Sequence, residues 1–318
     1  MASEHSKCLY GKHDCRKICL CEKKIVSLQR IVDMVCIAMN VKTLIYRMVA
    51  WIRHRLGARN SGGHGIHSPY LFEWVRMVMS DENQYYVWDE IEKIRMALLN
   101  DTSELEYVDY GSGAKEKGEV STKRVCDIAA RSLESAKYGR MLFRLVNWLG
   151  HTKRCTEGKG LKIIELGTSL GVTTAYLAAA NKGDEVVTYE GCSAVAKIAR
   201  KGWKQLGMNN IRCVEGDIDD TLLLSAPVSA HAREEVDVAF VDANHTYAAT
   251  CRYFEELSKR VHAKSVVVVD DIYYNKEMER AWKWICARPE VTSTMDLYKM
   301  GMVFFDPNYL RKNYRLRM

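Results

Sequence analysis

Six carboxylates stand at or near the ends of β-rich runs in this chain: Glu165, Glu190, Asp217, Asp242, Asp270 and Asp271. The first lies in Lys162-Ile163-Ile164-Glu165-Leu166-Gly167-Thr168-Ser169-Leu170-Gly171, which reads as a buried strand, a glycine turn and a helix start. Such a turn lets a ligand touch bare backbone, and a helix N-terminus offers N–H groups. The spacing Glu-x-Gly-x-x-x-Gly differs from the Gly-x-Gly-x-x-Gly of dinucleotide sites. A carboxylate at the strand end is badly placed for a pyrophosphate and well placed for a cation. Glu190 closes Glu185-Val186-Val187-Thr188-Tyr189, and an acid at the end of a second strand can accept both hydroxyls of a ribose. Asp217 follows Ile211-Arg212-Cys213-Val214-Glu215-Gly216, where a carboxylate can take an adenine amino group. Asp242 ends the run 236–241, and Asp270-Asp271 end the run 265–269. Adjacent parallel strands lie about 4.8 Å apart, so these three aspartates can share one hard cation, Mg²⁺ with Mn²⁺ or Ca²⁺ as alternatives. His245, three residues after Asp242, is a workable base because a free imidazole titrates near neutrality.

The elements that must position these groups alternate. Helical segments over 174–180, 194–206 and 247–261 separate the five strands, which implies a parallel sheet with its ligand crevice at the carboxyl ends of the strands. All six acids fall on that edge. A ligand that carries an ammonium, a sulfonium, a ribose and an adenine matches these acids in order, and S-adenosylmethionine is such a ligand.

With these motifs in place, the chain resembles the class I S-adenosylmethionine-dependent methyltransferases, and within them the branch of catechol and caffeoyl-CoA O-methyltransferases. The resemblance covers residues 131–307; its discriminating part is Val-Asp-Ala-Asn-His-Thr-Tyr (241–247) followed by Val-Val-Val-Val-Asp-Asp (266–271). It implies a Rossmann-like α/β fold with a seven-stranded sheet. The closing segment 292–305 would supply the last two strands, one of them antiparallel. It also implies cofactor contacts from Glu165, Gly167, Thr168, Ser169, Gly171, Glu190, Asp217 and Asp242. Tyr138, in a segment like the one bordering the cofactor methionine in this branch, is a further lining residue. Asp242 and Asp270 match two metal ligands of the branch, whereas Asp271 stands where it usually has Asn. His245 falls where catechol-type enzymes carry a lysine base. The reaction implied is methyl transfer from sulfonium to a hydroxyl of a small-molecule acceptor, catalysed by His245 and Asp242. A metal-independent methyltransferase on another acceptor and a non-catalytic cofactor-binding protein are the alternatives.

Each residue also has a structural reading. Glu165 and Gly167 can simply close a strand–helix turn; Asp270 or Asp271 can cap the helix that follows; His245 can orient its loop. For the turn, the correct spacing of the other acids favours the ligand.

Charge is concentrated at one end. Residues 1–60 hold 12 Lys/Arg against 4 Asp/Glu, a net of +8 that leaves −1 of the chain's +7 for the remainder. A near-neutral body lacks the basic stripe of a nucleic-acid enzyme, so no nucleic-acid partner is expected. Residues 1–24, with Cys8, Cys15, Cys19 and Cys21, have no paired Cys-x-x-Cys units and are expected to be a disordered leader, with initiation at Met34 or Met39 as an alternative. Residues 25–130 are expected to form a helical cap and loops. Over 25–56, Leu28, Ile31, Val35, Met39, Leu44, Met48, Ile52 and Leu56 recur at helical spacing opposite arginines and lysines. Polar breaks exclude a membrane span, and the stripe is expected to pack on the domain or on a second subunit, with peripheral membrane contact less favoured. Within 107–118, Tyr107 to Gly118 reads as a loop over the site. Residues 308–318 read as a solvated basic tail. Scattered cysteines in apolar runs suit reduced thiols and a cytoplasmic setting.

Overall fold

The computed structural model describes residues 41–58, 63–111, 116–224 and 235–318. The leader expected over 1–24 lies outside them. The chain divides into two units, 1–50 and 51–318. In the first, residues 41–50 are helical; the second opens with residues 51–57, also helical. Leu44, Met48, Ile52 and Leu56 of the apolar stripe are exposed in the single chain. Among the described residues no helix is long and apolar enough to cross a membrane.

The second unit is built on an eight-stranded sheet. Its parallel part comprises β3 (Lys162–Leu166), β4 (Glu185–Glu190), β5 (Ile211–Glu215), β6 (Val236–Val241) and β7 (Val261–Asp270). The hairpin β8 (Ser293–Asp296) and β9 (Met300–Phe304) follows, then β10 (Lys312–Arg315). The order across the sheet is β10-β8-β9-β7-β6-β3-β4-β5. β9 runs antiparallel to both β7 and β8. The central strands β6 and β7 carry near-continuous apolar runs, as strands covered on both faces must, and Val238, Ala239, Phe240 and Val266 to Val269 are all buried.

Helices cover the sheet: α1 (Pro69–Trp74), α2 (Tyr86–Asn100), α3 (Val125–Ser132), α4 (Ala136–Glu157), α5 (Val172–Ala179), α6 (Ser193–Gln205), α7 (Ile218–Leu224), α8 (Tyr247–Ser258) and α9 (Lys276–Ala287). One apolar cluster joins Leu142, Leu145 and Val146 of α4 to Ile163, Phe240 and Val268 of the sheet. A second joins Trp88 and Ile91 of α2 to Phe143, Tyr176 and Trp203.

Two expectations need correction. The seven-stranded sheet has an eighth strand, because the basic end is not a solvated tail. β10 pairs in parallel with β8, and Tyr314 and Leu316 are only 6% and 1% exposed. The alternation of Tyr314 and Leu316 with Asn313, Arg315 and Arg317 is the period of a half-buried strand. The segment 107–118, read wholly as a loop over the site, begins as strand: residues 107–109 end β1 (Glu104–Asp109), which pairs antiparallel with β2 (Glu119–Arg124) in register Glu104 to Arg124 and Asp109 to Glu119, and residues 107–111 line the cavity.

Candidate functional site

A cavity of about 530 Å³ opens at the carboxyl edge of the sheet, over the point where strand order reverses between β3 and β6. Beyond Leu166 the chain turns through Gly167 (φ +100°), Ser169 (φ +48°) and Gly171 (φ +78°) into α5. A Cβ on Gly167 would lie 2.1 Å from the carbonyl oxygen of Asp242, so the turn presses on the end of β6 and tolerates no side chain there. Next to the turn, the Glu190 carboxylate is held by two backbone donors, Ser169 N–H to Oε2 (2.8 Å) and Cys192 N–H to Oε1 (2.9 Å). Burial pushes the Glu190 carboxyl up to about 7 against those bonds. Asp217 also faces the cavity. It is paired with Lys117, from the turn of the β1–β2 ribbon, and Lys117 also reaches Asp219 at 2.9 Å.

Glu165 lies beneath the turn and is wholly buried. Its Oε2 accepts hydrogen bonds from the hydroxyls of Thr174 and Thr188. Each hydroxyl has one hydrogen, so Thr188, which donates to Glu165, accepts from Thr168 at 2.5 Å. Burial raises the Glu165 carboxyl to about 8, and the neighbouring Asp242 and Glu190 add to that.

The other half of the cavity is carboxylate-rich. Asp242, Asp270 and Asp271 end β6 and β7, and Glu134 joins them from the link between α3 and α4. Register places Asp270 opposite Met300 across the β7–β9 pair. Lys299, one residue earlier in the hairpin, therefore enters the acid cluster. Its Nζ donates to Asp270 Oδ2 at 2.7 Å and to Asp271 Oδ1 at 2.8 Å, and lies 3.1 Å from Glu134 Oε2. Burial works against the Lys299 charge, but Asp270, Asp271 and Glu134 outweigh it and keep the ammonium protonated. His245 Nε2 lies 3.2 Å from Asp242 Oδ1 and 3.6 Å from Asp271 Oδ2. Burial disfavours its charged form, while the Asp242 and Asp271 carboxylates prevail and raise its basicity. Burial and the nearby Asp242 raise the Asp270 carboxyl, with Lys299 opposing. Among the described residues, four non-glycine residues have left-handed backbone: Ser169, Asn244 and Asp271, which line the cavity, and Tyr298, which precedes Lys299.

Against known proteins, residues 164–272 match the family model of a methyltransferase domain. No curated protein sequence matches the chain. Among solved structures the chain is similar to the O-methyltransferase of Bacillus cereus in complex with S-adenosylhomocysteine: 19% identity, 72% of this chain and 95% of that one, TM-score 0.49. It is also similar to the O-methyltransferase TomG of Streptomyces achromogenes in complex with S-adenosylmethionine (17%, 73% and 98%, TM-score 0.47). A third is the methyltransferase PaMTH1 of Podospora anserina bound to S-adenosylhomocysteine (13%, 76% and 97%, TM-score 0.47).

Within the matched segment, Gly167, Ser169, Glu190, Asp217, Asp242, His245, Asp270 and Asp271 line one cavity. Glu165, Thr168, Gly171 and Tyr138 do not line it. Glu165 and Thr168 are turned inward to satisfy each other through Thr188, and Gly171 packs against Ala199 and Trp203. Tyr138 packs on the main core, in the field of Glu134 and Lys299. The cation site expected from three open aspartates is not open. Lys299 and His245 bridge them, and among the described residues no group of three or more His, Cys, Asp or Glu is arranged to hold a metal. Lys299 and Glu134 escaped the sequence reading because each reaches the cluster through long-range pairing. The one signal was the hairpin at 299–301, whose register, if worked out, places a lysine beside Asp270.

Proposed function

We propose that the chain is an S-adenosylmethionine-dependent methyltransferase that methylates a hydroxyl of a small molecule. The observation that carries this reading is the joining, in one cavity, of the Gly167 turn and Glu190 with Asp242, His245 and Lys299. The domain match over 164–272 supports methyl transfer, and the resemblance in 241–247 and 266–271 supports oxygen as the acceptor. S-adenosylmethionine supplies a methyl on a sulfonium: the S–CH₃ bond breaks with its electron pair to sulfur, an O–CH₃ bond forms, and the hydroxyl proton is released.

The residues fit that cofactor. The bare backbone of Gly167 admits close approach, and each oxygen of Glu190 has a lone pair left beside its backbone donor for a ribose hydroxyl. Asp217 stands at the far side for the adenine. His245, whose Nε2 faces Asp242 and Asp271, takes the acceptor proton on its imidazole, and the two carboxylates stabilise the imidazolium that results. The β1–β2 ribbon and the segment 131–135 border the cavity, where they help to align donor and acceptor. The six described free cysteines, 126, 155, 192, 213, 251 and 286, support the expected cytoplasmic setting.

Calorimetric titration with S-adenosylhomocysteine tests the reading. Micromolar binding to wild type, lost in Glu190→Ala, is the expected result. No binding by well-folded wild type refutes it.

A further inference from the structure

The resemblance that motivates the methyltransferase reading assigns a divalent cation to the acceptor half of the site, and the residues present disagree. A hard cation takes six or more oxygen ligands and needs carboxylate oxygens directed at one empty point. Here Asp271 gives one oxygen to Lys299 (2.8 Å) and turns the other toward His245 (3.6 Å). Asp270 gives one oxygen to Lys299 (2.7 Å), and Asp242 faces His245 (3.2 Å). A divalent ion shared by these oxygens would sit beside an ammonium already held by three carboxylates.

We propose that the Lys299 ammonium, braced by Glu134, Asp270 and Asp271, is the resident cation of this site, taking the place of a metal ion and positioning the acceptor through a single oxygen. The ammonium has three N–H donors, of which two go to Asp270 and Asp271. The approach to Glu134 is close but is not an aligned hydrogen bond, since Glu134 Oε2 has no hydrogen-bond partner. One donor therefore remains for a ligand in the cavity that Lys299 lines. A metal ion chelates two adjacent oxygens; one N–H cannot. The acceptor thus needs only one hydroxyl at this point and no vicinal partner. The acceptor part of this inference rests on the methyltransferase reading, whereas the exclusion of metal does not.

The test is Mn²⁺ titration of the full chain, read by loss of the free-ion signal in electron paramagnetic resonance, with S-adenosylhomocysteine calorimetry on the same samples. Wild type and Lys299→Arg are expected to bind no Mn²⁺ at micromolar concentrations. Lys299→Met, which keeps the length and removes the charge, is expected to gain a one-to-one site at least ten-fold tighter. Lys299→Gln serves the same comparison if the methionine variant does not fold. Micromolar Mn²⁺ binding by wild type that Asp242→Asn abolishes overturns the proposal, as does a folded Lys299→Met or Lys299→Gln with no Mn²⁺ site. Failure to bind S-adenosylhomocysteine would instead refute the methyltransferase reading and leave the Mn²⁺ result to decide the cation on its own.

Discussion

The carboxyl of Glu165 has no contact with water, two hydroxyl donors on one oxygen and none on the other. Its folded-state value of about 8 lies above the ordinary 4.5, so as pH rises the unfolded chain releases this proton first. Stability is therefore lost between roughly pH 4.5 and 8, at about 1.4 kcal/mol per unit, a few kcal/mol in all. Glu165→Gln keeps an oxygen for both threonines and has nothing to ionise. Denaturant melts should show it stabilising the protein at pH 8 and nearly neutral at pH 5. His245 makes a different prediction: as the proton acceptor, its loss in His245→Gln should cut kcat by about 10²–10⁴-fold while leaving S-adenosylhomocysteine affinity unchanged. A comparable loss of affinity would mean the imidazole only shapes its loop. At this scale, which acids reach the site edge was legible in the spacing, because strand ends are one-dimensional information. Which way a side chain turns at that edge was not. Glu165 sits within its strand on the inward face, and its hydroxyl partners at 174 and 188 have no mark in the sequence.

Lys299 is delivered by an element whose support lies elsewhere. The β8–β9 hairpin is fastened by Asp296, which accepts from the Tyr298 N–H (2.9 Å) and Tyr273 hydroxyl (2.7 Å), and meets Arg315 Nε (3.2 Å) and His54 Nε2 (3.1 Å). Those partners hold Asp296 below the ordinary carboxylate range despite its burial. Tyr273 stacks on Tyr298 at 5.5 Å, next to Lys299. β10, which supplies Arg315, is therefore part of the scaffold for the acceptor half. Leu316→Ala should cost about 2–5 kcal/mol, as a buried leucine truncation does, and chemical denaturation checks it. If Leu316→Ala leaves stability unchanged, the strand is not docked in solution. The parallel strands were legible because each reads as an apolar run closed by an acid. The ribbon β1–β2 and β10 were not, since their lysines, arginines and glutamates look like loop and tail until the alternating half-buried positions are counted.

At the scale of the molecule, charge and chemistry are separated. The first 60 residues carry a net of +8 and the remainder −1, and every residue lining the cavity belongs to the unit 51–318. A chain shortened to 51–318 should fold and bind S-adenosylhomocysteine within about two-fold of the full chain, by calorimetry, since a truncation away from the site perturbs affinity by tenths of a kcal/mol. A large loss would assign part of the site to the basic end.

The two halves of the cavity also differ in how far along the chain their partners stand. Ser169 meets Glu190 across 21 residues and Glu165 meets Thr188 across 23, whereas Lys299 meets Glu134 across 299 − 134 = 165. Short closures are entropically cheap and fast; long ones wait for the rest of the chain to collapse. Refolding should therefore proceed in sequence, with the cofactor half forming on local strand–helix–strand contacts and the acceptor half closing last. A refolding chain would pass through a state able to hold the cofactor before Glu134 reaches Lys299. Stopped-flow binding of a fluorescent S-adenosylhomocysteine analogue would see that state as a phase ahead of full recovery of stability.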